Sequence, residues 1–588
     1  MLELGDVRRA RHAPGLLRTF NDAGLLAAAD VHVAVRIAAL GGETDEAVIL
    51  AAALAVRAPR LGHVLADIAS IRETAAVESE EPVDLSALPW PDVGEWLDKL
   101  RASPLVAVGE EPGETRPLRL VGSALYLDRY WREEVAVASD LRAFGPAAVD
   151  EGVLADGLSR LFDDDGQAAA AEAAVRRRFA VVAGGPGTGK TTTVARIVAL
   201  LCEQAAEPPL VALAAPTGKA QSRLQEAVHD EAERLDVSPR VREVLRSLEA
   251  STLHRLLGWR PDSHSRFKHN RANRLPHDVV IVDETSMVSL SMMARLVEAV
   301  RPDARLVLVG DPGQLTSIEA GAVLGDIVSA GGEGVVVLER VYRFGAGIDA
   351  LAAAVRAGDA DAAIAALQAG HDDLQWIAVD PGDPASAGAL APVQYGAIES
   401  ARKVLGAARR GEARAAIEAL GAFRVLCAHR RGAHGVSVWN ARIEGWLTGE
   451  LDRGRWYVGR PLLVTENDYG LRLFNGDTGA IVAGEDGRAA AAFERGTGVA
   501  LLPPARLGAV DTVYAMTVHK AQGSQFGTAA VLLPPASSQV LTRELLYTAV
   551  TRARKRLILA GTEATIRAAI ARPVARASGL AARIQSPA

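Results

Sequence analysis

Apolar positions in this chain come in two patterns. Between about residues 160 and 340, short unbroken apolar runs recur at FAVVAG, LVALAAP, VVIVDE, RLVLVGD and GVVVLER. Between them lie stretches with apolar residues at helical spacing, such as TTVARIVALL. A short apolar run bounded by turn residues reads as a strand covered on both faces, and such strands alternating with helices build a parallel sheet wrapped by helices. Strand signals return at FRVLCAH, VYAMTVHK, AAVLLPP and RLILAG. The fold class is therefore α/β.

The regions around these blocks differ. Residues 1 to about 75 are Ala- and Leu-rich with helical periodicity, and the acidic, proline-bearing ESEEPVDLSALPWPD that follows reads as linker or loop. Strand-like runs appear in LRLVGSALYLDRYW at 118–131. An Ala-rich helical segment runs from about 346 to 420, interrupted by the loop DPGDPASAGALAP. From about 441 to 505 a Gly-rich stretch with short alternating strands suggests a small β insertion. No repeat of fixed period is present.

Chemistry enters where the first apolar strand ends. Residues 184–191 read GGPGTGKT and match G-x-x-x-x-G-K-[ST], with a strand before and a helix after, which is the context this pattern needs. The loop of Gly184, Gly185, Pro186, Gly187, Thr188 and Gly189, with Lys190, Thr191 and Thr192 opening the helix, is expected to cradle the phosphates of a nucleoside triphosphate with its backbone N–H groups. Lys190 can reach the β- and γ-phosphates, and the Thr191 hydroxyl can hold Mg²⁺. VVIVDE ends in Asp283 and Glu284 at the carboxyl end of a strand, where ligands bind in such sheets. Asp283 suits the metal, and Glu284 suits orienting and deprotonating the attacking water. In LVLVGDPGQL, Gln314 can contact the γ-phosphate or the water. Arg343 in LERVYRF and Arg552 in YTAVTRAR are candidates for neutralising charge on the transferring phosphate. Taken singly, a glutamine in a turn or a lone arginine says little; the ordered series carries the force.

Composition narrows the classes. With 588 residues, several domains are expected. Hydrophobic residues at 49% and charged residues at 23% suit a globular protein. The N-terminal MLELGDVRRARHA is no signal peptide, and the longest apolar run, near 47–56, is too short to span a bilayer. Two distant cysteines, Cys202 and Cys427, fit a reducing cytosol and exclude a Cys-based zinc site. A net charge of −7 argues against coating nucleic acid wholesale but leaves room for a locally basic channel. Basic clusters at 176–178, 429–431 and 552–556 are individually compatible with solvated surface.

The order P-loop, DE, GDxxQ, YR, HKxQG, TRA resembles that of the superfamily 1 helicases. APTGKAQSRL and STLHRLLG look like that superfamily's two DNA-contacting motifs. GGPGTGKTTT, DETSMV, TVHKAQGSQF and YTAVTRAR, with ALYLDRYWREE and CAHRRGAHGVSVWN, resemble the RecD branch, the alpha chains of exodeoxyribonuclease V, over essentially the whole chain. The resemblance implies two RecA-like domains, at 111–345 and 346–588, with ATP between them and single-stranded DNA across their tops. It implies an SH3-like insertion at about 441–505 and a helical docking domain at 1–110. It further implies 5′-to-3′ movement on DNA ends within a complex containing two larger subunits, RecB-like and RecC-like, in double-strand break repair, with strand cutting left to a partner. By the same resemblance Gln167 reads adenine, Thr217, Thr252 and His254 contact DNA, and Thr517, His519 and Gln522 link the ATP site to DNA. Gln525 stands where the family usually has Glu, which puts any carboxylate role there in doubt. A regulatory scaffold or a stand-alone helicase remain the alternatives.

Overall fold

A computed structural model of the chain describes residues 9–75, 77, 85–111, 113, 115–260, 267–317, 319–342, 345–452, 454–468, 470–484, 488–495, 498–574 and 576–586. The first helices, Gly15–Asp22, Ala28–Gly41 and Glu46–Arg60, gather around the third. Its start is set by Asp45, whose carboxylate accepts the N–H groups of Ala47 and Val48. Its middle, Leu50 to Ala55, is buried on every side, so the longest apolar run is a core helix. Trp96, fully buried beneath it, donates its indole N–H to the Ala47 carbonyl at 2.7 Å. A four-stranded sheet closes this body, in the order Leu65–Asp67, Ala124–Leu127, Leu118–Val121, Val106–Val108. Trp90, at the end of the stretch read as linker, packs edge-on against Phe20 at 4.7 Å. Residues 78–84 of that stretch lie outside the described ones.

Two parallel sheets follow. The first has six strands in the order Val335–Leu338, Phe179–Gly184, Arg305–Gly310, Val279–Val282, Val211–Ala215, Ala250–Thr252. Its central strands are buried end to end, which explains their unbroken apolar wording. The second has five: Leu374–Ile377, Ala553–Ala560, Phe526–Leu532, Phe423–Cys427, Ala515–Thr517. Its edge strand Leu374–Ile377 corrects the reading of 346–420 as a helical segment broken only by the loop DPGDPASAGALAP. LQWI is too short to show a period, and only its pairing with Ala553–Ala560 makes it a strand. Likewise DRYW at 128–131 opens the helix Asp128–Arg142 and is no part of a strand.

Between Phe423–Cys427 and Ala515–Thr517 the chain forms the helix Val436–Trp446 and then a five-stranded antiparallel sheet spanning 461–512. After the last strand it returns across the molecule. Ala577 exchanges hydrogen bonds with the N-terminal body, its carbonyl accepting from Val64 N–H and its N–H donating to His63 Nδ1. Leu580 enters the core of the first parallel-sheet domain. Among the described residues no helix is long and apolar enough to cross a membrane.

Candidate nucleotide site and nucleic-acid track

The loop after Phe179–Gly184 turns through two left-handed glycines, Gly187 at φ +87° and Gly189 at φ +81°, before the helix Lys190–Glu203. A side chain at either position would be strained. At Gly189 a Cβ would also lie 2.5 Å from Gln167 Nε2. Gln167 is buried there and donates to the Thr188 carbonyl at 3.2 Å, so it braces the back of the loop. Thr188 is buried, its hydroxyl donating to the Gly185 carbonyl. Lys190 Nζ donates to the carbonyls of Gly184 and Gly185 at 2.6 and 2.8 Å, holding its charge over the loop. Thr191 and Thr192 occupy the first helical turn, where the helix dipole favours anions.

Asp283 is buried beside Lys190 and the Thr191 hydroxyl. Burial, and then the neighbouring Glu284, push its carboxyl up to about 7, against the opposing pull of the Glu284 N–H, Lys190 and Thr191. A hydroxyl and a buried carboxylate short of positive charge are hard oxygen donors, the set that Mg²⁺ takes when phosphates and water complete its shell. Glu284 holds a left-handed backbone at φ +50°, uncommon for a residue with a side chain.

The second parallel-sheet domain reaches this site through the helix Arg543–Val550 and the turn after it. Arg552, 2% exposed, donates Nη2 to Gln314 Oε1 at 3.1 Å, Nη1 to the Ser524 carbonyl and Nε to the Thr548 carbonyl. Gln314, itself buried, donates to Asp311 at 3.0 Å. The Leu315 N–H donates to Thr548 Oγ1 at 2.8 Å, while its carbonyl accepts from Gln522 Nε2 at 2.6 Å. Sequence reasoning missed two members of this junction. A Cβ on Gly185 would lie 2.9 Å from the Tyr547 hydroxyl and 3.8 Å from Arg356 Nη1. Tyr547 stood inside YTAVTRAR, where only Arg552 was singled out, and Arg356 lies in an ordinary helical stretch with no motif signal. Arg343 lies outside the described residues, but Tyr342 before it donates its N–H to the Gly187 carbonyl and its hydroxyl to Asp164.

The residues assigned to DNA fall along a second feature. Thr217, His254, His519 and Gln522 line one cavity of about 430 Å³ between the two domains. Asn475 and Gly476 of the antiparallel sheet form its far wall. Thr517 lines a neighbouring cavity of about 730 Å³ with His429, Arg430 and Arg431, and Lys520 belongs to both. The basic cluster at 429–431 is thus a cavity wall. Thr217 and Thr252 also cap helices, accepting the N–H groups of Ala220 and Arg255. Thr252 does not line the cavity; the next residue, Leu253, does. Lys219, unremarked within APTGKAQSRL, lines it too, its pKa pulled down to about 7 by burial and by Arg223 and Arg424. Gln525, standing in place of the family's usual Glu, accepts a hydrogen bond from Arg554 through Oε1.

Known proteins match at every level of this architecture. The RecBCD enzyme subunit RecD N-terminal domain matches residues 22–126, an AAA domain 164–378, and a UvrD-like helicase C-terminal domain 512–560. The RecBCD enzyme subunit RecD of Mycolicibacterium smegmatis is 52% identical over 97% of this chain and 99% of its own length. That of Mycobacterium tuberculosis is 49% identical over 100% and 99%. The ATP-dependent RecD2 DNA helicase of Deinococcus radiodurans is 33% identical over 68% of this chain and 50% of its own. A shared motor alone would not sustain identity from the first helices to the returning C-terminal segment: the chain belongs to the family of RecD subunits of the RecBCD enzyme.

Proposed function

We propose that the chain is an ATP-driven DNA helicase subunit that moves 5′ to 3′ on a single strand drawn from a DNA end, within a recombinational repair complex of the cytoplasm. The observation that carries this reading is Leu315. Its N–H is held by the helix before Arg552, whose Tyr547 stands against the nucleotide loop, and its carbonyl is held by Gln522 of the cavity between the domains. Both sites therefore hold the same backbone residue, and we read this shared contact as the route by which they are coupled. Lys190 and the loop amides bind the phosphates, Thr191 and Asp283 hold Mg²⁺, and Glu284 orients the attacking water. Gln314 reports the γ-phosphate to Arg552, which with Arg343 neutralises developing charge. Gln167 contributes to adenine selection. ATP favours the closed pair of domains through contacts to both, and loss of the γ-phosphate releases it. Thr217, Thr252, His254, Thr517, His519 and Gln522 grip the strand by its backbone, independently of sequence. The antiparallel sheet, which we read as an SH3-like insertion, closes over the strand at Asn475.

The N-terminal body, placed at residues 1–110 by sequence, docks on two larger partners, RecB-like and RecC-like, one of which carries the nuclease. The test is Lys190→Gln in the assembled complex, with ATP turnover and strand separation followed on duplexes bearing 5′ or 3′ single-stranded tails. Loss of DNA-stimulated turnover and of unwinding from the 5′ tail is expected. Unchanged unwinding would turn the chain into a nucleotide-dependent scaffold.

A further inference from the structure

The 430 Å³ cavity does not end at the first parallel-sheet domain. His254, Ser289, Met292 and Glu319 line it on one side and, on the other, open into a larger cleft of about 1140 Å³. The far wall of that cleft is the N-terminal body and the helix Asp128–Arg142. Arg60, Arg116, Arg129 and Arg132 face it from that wall, and Arg295 from the motor side.

The cleft also holds carboxylates, and their placement decides what it can bind. Asp128 and Glu133 have side chains only 7% exposed and sit beneath Arg132 and Arg129, whose side chains are 42% and 61% exposed. Each guanidinium uses Nε on its carboxylate and turns Nη2 toward the cleft, against Thr115 and Ser291. Those Nη2 contacts are long, at 3.3 Å, and a guanidinium that exchanges them for phosphate oxygens keeps its Nε anchor while presenting the N–H donors that suit phosphate. Tyr130 stands half-buried among these arginines, while Phe267 is buried against His254, so Tyr130 is the ring on which a base of a single strand can stack.

We propose that this cleft carries the single strand beyond the motor cavity, so that the N-terminal body is a wall of the DNA path as well as a docking module. The inference rests on the DNA reading of the motor cavity. The ligand is the phosphodiester backbone of single-stranded DNA, held by Arg116, Arg129 and Arg132 and ordered against Tyr130.

The experiment uses the full chain and fluorescence anisotropy on oligothymidylates of increasing length at several salt concentrations. Two variants probe the cleft. Arg129→Ala with Glu133→Gln removes an arginine without stranding its carboxylate, and Thr115→Glu adds a negative charge at an exposed position. Wild-type affinity is expected to keep rising with length after the motor cavity is filled. The variants should match wild type on the shortest oligonucleotides that bind and lose the later rise, with a salt slope shallower by about 0.7 for each phosphate no longer neutralised. ATP turnover at saturating short oligonucleotide should be unchanged. Variants that bind long oligonucleotides as wild type does, at the same salt slope, would overturn the proposal. So would variants that bind DNA normally but lose the two larger subunits, because the cleft would then be a protein interface. A third variant, Lys520→Ala, reports on the motor cavity by itself: if short-oligonucleotide binding is insensitive to it, the DNA reading of that cavity fails instead.

Discussion

Glu284 sits in a left-handed backbone conformation that costs a residue with a side chain about 1–2 kcal/mol. Strain of this kind persists where the surroundings impose it, commonly at sites of chemistry. Its own N–H is fixed to Asp283 Oδ1 at 2.8 Å, so one bond positions both acids. Glu284→Gln keeps the shape and removes the base. ATP should still bind, while turnover falls by about 10²-fold or more; retained turnover in a rapid-quench assay would place the base elsewhere. Arg552 makes a sharper case, because it both braces the domain junction and faces Gln314. Arg552→Ala should lower single-turnover hydrolysis by about 10³-fold with nucleotide affinity largely kept. Lost binding with an unchanged rate per bound ATP would make it a ground-state anchor.

At the scale of elements, Thr217 shows how one side chain serves two ends. Its hydroxyl caps the helix Gly218–Ala232, and the same residue lines the cavity between the two domains that we assign to DNA. Thr217→Ala should cost about 1 kcal/mol through the missing cap and weaken DNA binding as well. Thr217→Asp separates the two: the carboxylate caps as well as the hydroxyl did, yet repels phosphate. Thermal stability close to wild type with weakened DNA binding is the expected result. Equal DNA affinity in both proteins would confine Thr217 to the cap.

Across the whole molecule, the returning C-terminal segment joins the N-terminal body to the motor. His63 receives the Ala577 N–H on Nδ1 and must be neutral to do so. Burial, with Arg57 and Arg576 nearby, holds its pKa down at about 4. In the unfolded chain it titrates near 6.5, so between about pH 6.5 and 4 the unfolded state binds the extra proton. The stability contributed here is complete above about pH 6.5 and drains away as pH falls toward 4. Proteolysis should therefore release the C-terminal segment more readily at pH 5 than at pH 7.5, and His63→Asn should flatten that difference. The N-terminal body offers Leu40, 72% exposed, and Val33, 43% exposed, on the helix Ala28–Gly41. Val33→Lys with Leu40→Lys should abolish co-purification with the larger subunits while sparing DNA-dependent ATPase; full assembly would move the docking surface elsewhere. These surface changes test docking better than a deletion of residues 1–110, which would leave Leu118–Val121 and Ala124–Leu127 paired only with each other, without their outer neighbours Val106–Val108 and Leu65–Asp67.

The sequence by itself determined the strands that bear the chemistry and the order of the motifs they carry. Buried parallel strands have to be unbroken apolar runs, and a phosphate loop has to place glycine where φ is positive, so both are written locally. Asp283, Glu284 and the loop from Gly184 to Thr191 were legible for that reason, as was the fold class. Short and mixed elements were not, because four residues such as Leu374–Ile377 have no period and become a strand only by pairing. Tertiary structure alone decided what meets across the domains: Gln314 with Arg552, Leu315 with Thr548 and Gln522, and Tyr547 and Arg356 with the nucleotide loop. It also placed the largely exposed cluster at 429–431 beside Thr517 and Lys520 in one cavity. Such contacts join residues far apart in the chain, and no local pattern encodes a distance that only packing of the two sheets sets.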